Sequence, residues 1–202
     1  MVNQINNQGQ RPHCTMFAVC AAIESETGQK FTDQEIFDLY DKATGGTDGT
    51  LTIVCANYMK ELGYIKDVKR IHSNPQARWC RRGETPHLNQ EVFLTLQGKK
   101  KQKLIFGIAY NTPRLPIDDN FVWNQPPVDI VNDKAETRLH AVHPVMAWGA
   151  PAFSPTGIPT GQKRLGAVIE NSWSDAWGDK GFFYMSTDYM LKSIQEILLL
   201  TF

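Results

Sequence analysis

The sequence predicts an α+β fold in which a helical first half and a β-rich second half meet at a cleft. Two observations lead to this prediction. Apolar residues recur at helical spacing as far as residue 62, whereas short apolar segments separated by proline- and glycine-rich turns follow residue 103. We expect a single domain over residues 1–202, with a helical lobe at about 10–100 and a β-rich lobe at 101–202.

Three helices are predicted in the first half. They cover residues 15–27, a segment that starts at the capping box formed by residues 32–35, and residues 51–62. Gly28 and Gly63 follow the first and third helices, as expected of glycines at helix ends. Residues 72–95 show little periodicity, and we expect loops and one short helix there.

Four strands are predicted in the second half, at residues 104–110, 140–148, 165–171 and 181–185. A proline-rich connection at 111–138 is expected to run over the surface. The second half is therefore expected to build a sheet against the helices.

Composition excludes several classes of function. The chain has 21 basic and 21 acidic residues and a net charge of +0, which removes the main electrostatic argument for a nucleic-acid or anionic-membrane partner. No signal peptide is recognised at residues 1–7, and the longest apolar run, 197–200, is too short to cross a bilayer. We expect a cytoplasmic protein that uses no cofactor.

The four cysteines predict neither a disulfide framework nor a metal site. None of them forms a closely spaced pair, so a reducing compartment is expected. Cys55 and Cys80 lie at spacings from His72 and His87 that match no common zinc pattern, and we predict no metal. Cys20, inside the first helix, is expected to pack in the core.

Cys14 is the candidate nucleophile because it stands at the edge of the first predicted helix. Unpaired backbone N–H groups and the positive end of the helix dipole favour a thiolate there. A packed, unreactive thiol is the alternative, so the prediction depends on a base and on a group that orients the base.

His140 and Asn171 are the candidate partners of Cys14. His140 and His143 are three residues apart on a predicted strand, so they point to opposite faces, and we expect His143 on the back face. Asn171 lies at the end of another predicted strand, close to Trp173 and Trp177. An asparagine beside an indole is suited to hold an imidazole tautomer and to shield that hydrogen bond from water.

Three separated motifs, in this order, resemble those of the papain-like cysteine peptidases. They are Asn7-Gln8-Gly9 with Cys14, Phe17 and Ala18; His140-Ala141-Val142; and Asn171-Ser172-Trp173 with Trp177-Gly178 and Gly181-Phe182. The resemblance implies a papain-like two-lobe fold with the active site in the cleft and a polypeptide substrate. It leaves residues 66–103 and 111–138 without a clear counterpart.

The same resemblance implies roles for individual residues. Cys14 would be the nucleophile, His140 the base, and Asn171 the residue that orients the base. Gln8, six residues before Cys14, would donate to the oxyanion. The predicted substrate-binding residues are Gly45 and Gly46, whose backbone would bind an extended chain, together with His13 in a minor role, Trp173 and Trp177.

Three residues near Cys14 depart from the family pattern. Thr15 replaces the usual tryptophan, Pro12 replaces a glycine, and Arg11 stands where a cysteine would form a disulfide. Pro12 leaves the subsite preference open, and Arg11 favours a cytosolic or virion-enclosed form. Because Cys14 lies so early in the chain, we expect a protein competent as made, such as a bacterial or phage product, or a fragment of a longer precursor.

Two other classes of function stay open at this stage. One is a peptidase-fold binding or structural module with little turnover, for example a virion component assembled into a larger particle. The other is an acyl transferase or deamidase that uses the same residues. Gln8, Cys14, His140 and Asn171 together argue against an inactive module, but they do not separate hydrolysis from transfer.

Overall fold

The computed structural model describes residues 5–73, 95–96, 98, 101–111, 122–123, 137–148, 166–186, 190 and 193–202. The helices in these ranges are α1 Cys14–Thr27, α2 Asp33–Thr44 and α3 Thr52–Glu61. The strands are β1 Asp67–Ser73, β2 Gln102–Asn111, β3 Val122–Trp123, β4 Thr137–Trp148, β5 Gly166–Glu170, β6 Phe182–Ser186 and β7 Ile194–Thr201. The predicted α+β class is confirmed.

The three predicted helices form, and their ends have the predicted causes. The N–H of Gly28, at φ 75°, donates to the last turn of α1. At the start of α2, the Thr32 side chain accepts from the Glu35 N–H, while the Glu35 carboxylate accepts from the Thr32 N–H at 2.7 Å. This confirms the predicted capping box. None of the helices in the described ranges is long and apolar enough to cross a membrane.

The strands form a sheet in the order β1-β7-β2-β4-β5-β6-β3. All neighbouring pairs are antiparallel except β3 with β6, which is parallel. The four predicted strands correspond to β2, β4, β5 and β6, which confirms them. β4 lies in the middle of the sheet, between β2 and β5.

Two long strands, β1 and β7, were not among the predicted ones. β7 is buried along most of its length, and its sequence is therefore mostly apolar. The spacing of apolar residues in such a run does not distinguish a strand from a short helix. β1 is a charged edge strand that pairs only with β7 among the described strands. It extends into the segment predicted as loop at residues 72–95, where the prediction was wrong for residues 72–73; Thr95 and Leu96 are helical, and residues 74–94 lie outside the described part.

The sheet separates two apolar cores, because side chains alternate between its faces. On one face, Ile105 and Ala141 pack with the three helices. On the other face, Phe106 and Val142 pack with residues of β5, β6 and β7. The helix α1 contacts β2 and β4 directly, so it lies against the middle of the sheet.

Candidate active site

Cys14 lies where the helical layer meets the sheet. It is the first residue of α1, it is half-buried, and it borders the helical core. Backbone groups of Ala141 on β4, of Thr15 and of Cys14 itself lie near enough to its sulfur to act against the rise of its pKa. The structure therefore brings the thiol to the strand that carries His140.

The His140 side chain is buried and held on two sides. Its Nε2 lies 2.7 Å from Oδ1 of Asn171, the residue that follows β5. The Trp173 ring stacks on the imidazole with centroids 4.8 Å apart, and Trp177 meets Trp173 edge-on at 4.9 Å. Trp173 therefore covers one face of the imidazole, and Trp177 packs against Trp173.

The contacts of Asn171 determine the histidine tautomer. Its Oδ1 also accepts the backbone N–H of Ser172 at 2.9 Å, which identifies this atom as the oxygen. An amide oxygen accepts hydrogen bonds and does not donate them, so the proton of the neutral imidazole is on Nε2. Nδ1 of His140 is then the basic nitrogen.

Burial disfavours the charged forms of both Cys14 and His140. It raises the pKa of the Cys14 thiol, and the lowering effect of the backbone groups of Ala141, Thr15 and Cys14 is smaller. Burial also lowers the pKa of His140 to about 4, against the hydrogen bond to Asn171. The backbone groups at the helix start act in the predicted direction, towards a thiolate, but desolvation outweighs them, so Cys14 needs a partner, as the sequence analysis also required.

A thiolate at Cys14 consequently requires a positive charge beside it. Since each charge is disfavoured alone, a thiolate and an imidazolium would have to form together here, by transfer of one proton. The nearness of Cys14 to β4 makes such a transfer chemically reasonable.

Gln8 is buried next to the same site. Its Nε2 donates to the Arg11 carbonyl at 2.9 Å, and its Oε1 accepts a short hydrogen bond from the Ser172 hydroxyl. The backbone N–H of Gln8 also donates to the Ser172 carbonyl at 2.9 Å. These contacts fix which end of the Gln8 amide carries the nitrogen.

A cleft with a volume of about 1310 Å³ joins these residues. Five of the predicted site residues line it: Gln8, Cys14, His140, Trp173 and Trp177. Asn171 lies behind His140 and borders a small cavity that Phe17, Ala141 and Glu170 also line. The structure thus brings together the four residues of the predicted reaction centre.

Three predicted substrate-binding residues lie elsewhere. Gly45 is the C-cap of α2, at φ 67°, and neither it nor Gly46 lines the cleft. The His13 ring is buried and stacks on Tyr40 with centroids 3.9 Å apart, so it packs inside the helical layer. These placements do not support the predicted substrate contacts of Gly45, Gly46 and His13.

Other residues line the cleft without having been predicted. The segment 49–52, just before α3, forms part of one wall, where Leu51 is 63% exposed. Leu139 on β4 is equally exposed on the sheet side, and an ion pair between Arg70 and Glu196, at 2.9 Å, borders the same space. The sequence did not predict that these residues line one cleft, because Leu51, Leu139 and Glu196 are far apart along the chain.

The thiols of Cys20 and Cys55 do not line the cleft. Cys14, Cys20 and Cys55 are all free, and burial raises the pKa of Cys55 to about 11. Cys20 is buried in the core, as predicted, and the Thr15 hydroxyl lies 3.3 Å from the Cys55 sulfur. Among the described residues no cluster of side chains could hold a metal ion, and Cys80 and His87 lie outside them.

Comparisons with known proteins agree with this geometry. A family model described as papain family cysteine protease matches residues 1–198. Bromelain from Ananas comosus, solved with the inhibitor E64, has a TM-score of 0.62 at 15% identity and covers 99% of this chain and 94% of its own. Xylellain, a cysteine protease from Xylella fastidiosa, has a TM-score of 0.60 at 15% identity, with coverages of 100% and 83%.

The ragweed pollen cysteine protease Amb a 11, in its proform, has a TM-score of 0.57 at 17% identity and covers 99% of this chain and 62% of its own. No curated protein sequence matches the chain. At these identities the solved structures demonstrate a common fold, whereas the family model matches nearly the whole chain. The chain belongs to the papain family of cysteine proteases.

Proposed function

We propose that the chain is an active peptidase that hydrolyses peptide bonds through Cys14, His140 and Asn171, with Gln8 in the oxyanion hole. One observation carries the proposal. The imidazole of His140, bound at Nε2 by Asn171 at 2.7 Å, lines the same cleft as the Cys14 thiol.

Each step of the reaction has a residue suited to it. The proton of the Cys14 thiol passes to Nδ1 of His140, and the sulfur attacks the carbonyl carbon of the peptide bond. The imidazolium then gives that proton to the leaving amine, and an acyl group remains on the sulfur. Water, deprotonated by His140, hydrolyses the thioester and restores the thiol.

The negative oxygen that forms during the attack needs donors. One hydrogen of the Gln8 Nε2 binds the Arg11 carbonyl, and the second is the donor that we propose for the oxyanion, together with the Cys14 N–H. One such donor contributes about 3 kcal/mol to the stabilisation of the transition state. The contacts of Gln8 with Arg11 and Ser172 fix the amide before substrate binds, which avoids reorganisation during the reaction.

The proposed substrate is a polypeptide in an extended conformation. The cleft is larger than most pockets for small molecules, and exposed apolar side chains, Leu51 and Leu139, lie on its two walls. A peptide with an apolar side chain near the scissile bond would cover both.

The cytoplasmic or virion location and the bacterial or phage origin stay predictions from the sequence. The free thiols of Cys14, Cys20 and Cys55 are compatible with a reducing environment.

Two measurements test the proposal. An epoxide-type thiol inactivator should label Cys14 in the purified protein, the label should vanish in His140→Ala, and the buried-thiol control Cys20→Ala should be labelled like the wild type. A peptide library should then be cleaved by the wild type and not by Cys14→Ala. Cleavage that persists in Cys14→Ala would refute the proposal, and so would labelled protein that turns over no peptide. Products that appear only when an amine acceptor is added would indicate acyl transfer instead.

A further inference from the structure

A pair of buried polar side chains lies directly behind the proposed site. His143 on β4 is completely buried, and its Nδ1 lies 3.0 Å from Oε2 of Glu170, whose side chain is 8% exposed. The two residues are opposite each other in the pairing of β4 with β5. The proposed reaction uses neither of them.

The backbone pairing between β4 and β5 is irregular next to this contact. Pro144, the residue after His143, has no N–H to donate to a neighbouring strand. The register then shifts between Pro144 and Met146. The His143–Glu170 contact therefore joins the two strands at a point where their ladder is weak.

The same two strands set the distance between His140 and Asn171. His140 lies three residues before His143 on β4, and Asn171 directly follows Glu170 at the end of β5. Within the described residues, Nδ2 of Asn171 has no hydrogen-bond partner, so its side chain is held through Oδ1 alone. The 2.7 Å contact to His140 consequently depends on where the backbone of β5 puts Asn171.

Stability does not account for the pair. Nε2 of His143 has no hydrogen-bond partner among the described residues, so the pair is only partly satisfied. A partly satisfied buried polar pair contributes less to stability than two apolar side chains of similar volume. A role in keeping β4 and β5 in one relative position explains its presence better.

We propose that the contact between His143 and Glu170 positions His140 and Asn171, so that the hydrogen bond between them keeps Nδ1 directed at Cys14. The inference rests on the proposed function, since it concerns the same reaction centre. His143 and Glu170 are positioning residues; they touch neither the substrate nor the sulfur.

The test compares three variants. His143→Leu/Glu170→Leu replaces the pair by apolar side chains, Glu170→Gln keeps a hydrogen-bonding side chain of the same shape, and Tyr184→Phe removes a different buried hydrogen bond of the sheet, to Asp179 at 2.8 Å. The rate of peptide cleavage is divided by the concentration of reactive Cys14, which is measured by titration with the epoxide inactivator. Unfolding in urea is followed in parallel.

We expect the double leucine variant to fold and to lose about tenfold or more in kcat with KM within twofold, because small misplacements of reacting groups are costly. Glu170→Gln and Tyr184→Phe should stay within about twofold of the wild-type kcat. A double leucine variant with wild-type kcat would overturn the inference. A double variant that does not fold would overturn it too, since the pair would then serve stability.

A second readout does not require turnover. The proton on His140 Nε2 should give a low-field NMR resonance that is absent from His140→Gln. This resonance should move or broaden in the double leucine variant and stay in place in Glu170→Gln. If the wild type cleaves no peptide, the proposed function fails while the resonance still tests the positioning; an unchanged resonance in the double variant refutes the positioning alone.

Discussion

Replacement of His140 by glutamine should move the reactivity of Cys14 to high pH. In the folded chain, burial raises the pKa of the Cys14 thiol above its ordinary value of 9.0, and the backbone groups around the sulfur do not compensate. Without the imidazole, the proposed acceptor of the thiol proton is lost. The thiolate of His140→Gln should therefore appear only above pH 9.

The size of the effect follows from the same pKa. A thiol with a pKa of 9 is about 1% ionised at pH 7, and a raised pKa leaves less thiolate than that. In the proposed mechanism, transfer of the thiol proton to His140 supplies the thiolate at neutral pH. We expect the rate constant for alkylation of Cys14 by iodoacetamide at pH 7 to fall by about 100-fold or more in His140→Gln.

The assay is a pH profile of alkylation between pH 5 and about 10, with peptide mapping by mass spectrometry to isolate the signal of Cys14. Cys14→Ala gives the background of the other thiols, of which Cys20 and Cys55 are expected to react slowly because burial raises their pKa. The wild-type profile should extend well below pH 9. If the profiles of the wild type and His140→Gln coincide, no proton passes between the two residues and the reasoning is wrong.

Three further predictions concern single contacts. Gln8→Ala should lower kcat on a peptide substrate by about 100-fold with little change in KM, because one oxyanion donor is lost; an equal loss in Gln8→Glu at low pH, where a protonated acid can donate, would argue against this. Thr32→Ala should lower the free energy of unfolding in urea by about 1 kcal/mol through loss of the α2 cap, whereas Thr32→Ser should retain most of it. Gly181→Ala should destabilise the fold by about 1 kcal/mol or more, since Gly181 has φ 86° and a Cβ there would lie 2.6 Å from Cγ1 of Ile5; an unchanged melting temperature would contradict it.

Local chemistry made the helices predictable. The capping box at Thr32 and the glycine after α1 are signals that a few neighbouring residues carry, and both are present in the structure. The strands that lie between proline- and glycine-rich turns were also predictable from neighbouring residues. β7 was not predicted, because a strand buried on both faces shows no alternation of apolar and polar residues. β1 was not predicted, because it is an edge strand whose partner, β7, is more than a hundred residues away along the chain.

The grouping of residues at the proposed reaction centre was partly predictable for a similar reason. Residue types and their immediate neighbours indicated Cys14, His140 and Asn171, and the structure brings them to one place. The resemblance implied that Gly45 and Gly46 bind substrate, but the chain turns at Gly45 to end α2, and of the glycines in this segment Gly49 lines the cleft. Which glycine borders a cleft depends on where a helix ends in space.

By itself, the sequence determined the secondary structure of the helices, the α+β class and the residue types available to the proposed reaction centre, since each depends on neighbouring residues or on side-chain type. Tertiary structure decided the rest. It buried the Cys14 sulfur so far that its pKa rises, packed His13 against Tyr40, and joined His143 to Glu170. Burial and cross-strand contacts arise between residues that are distant along the chain, and no local pattern encodes them.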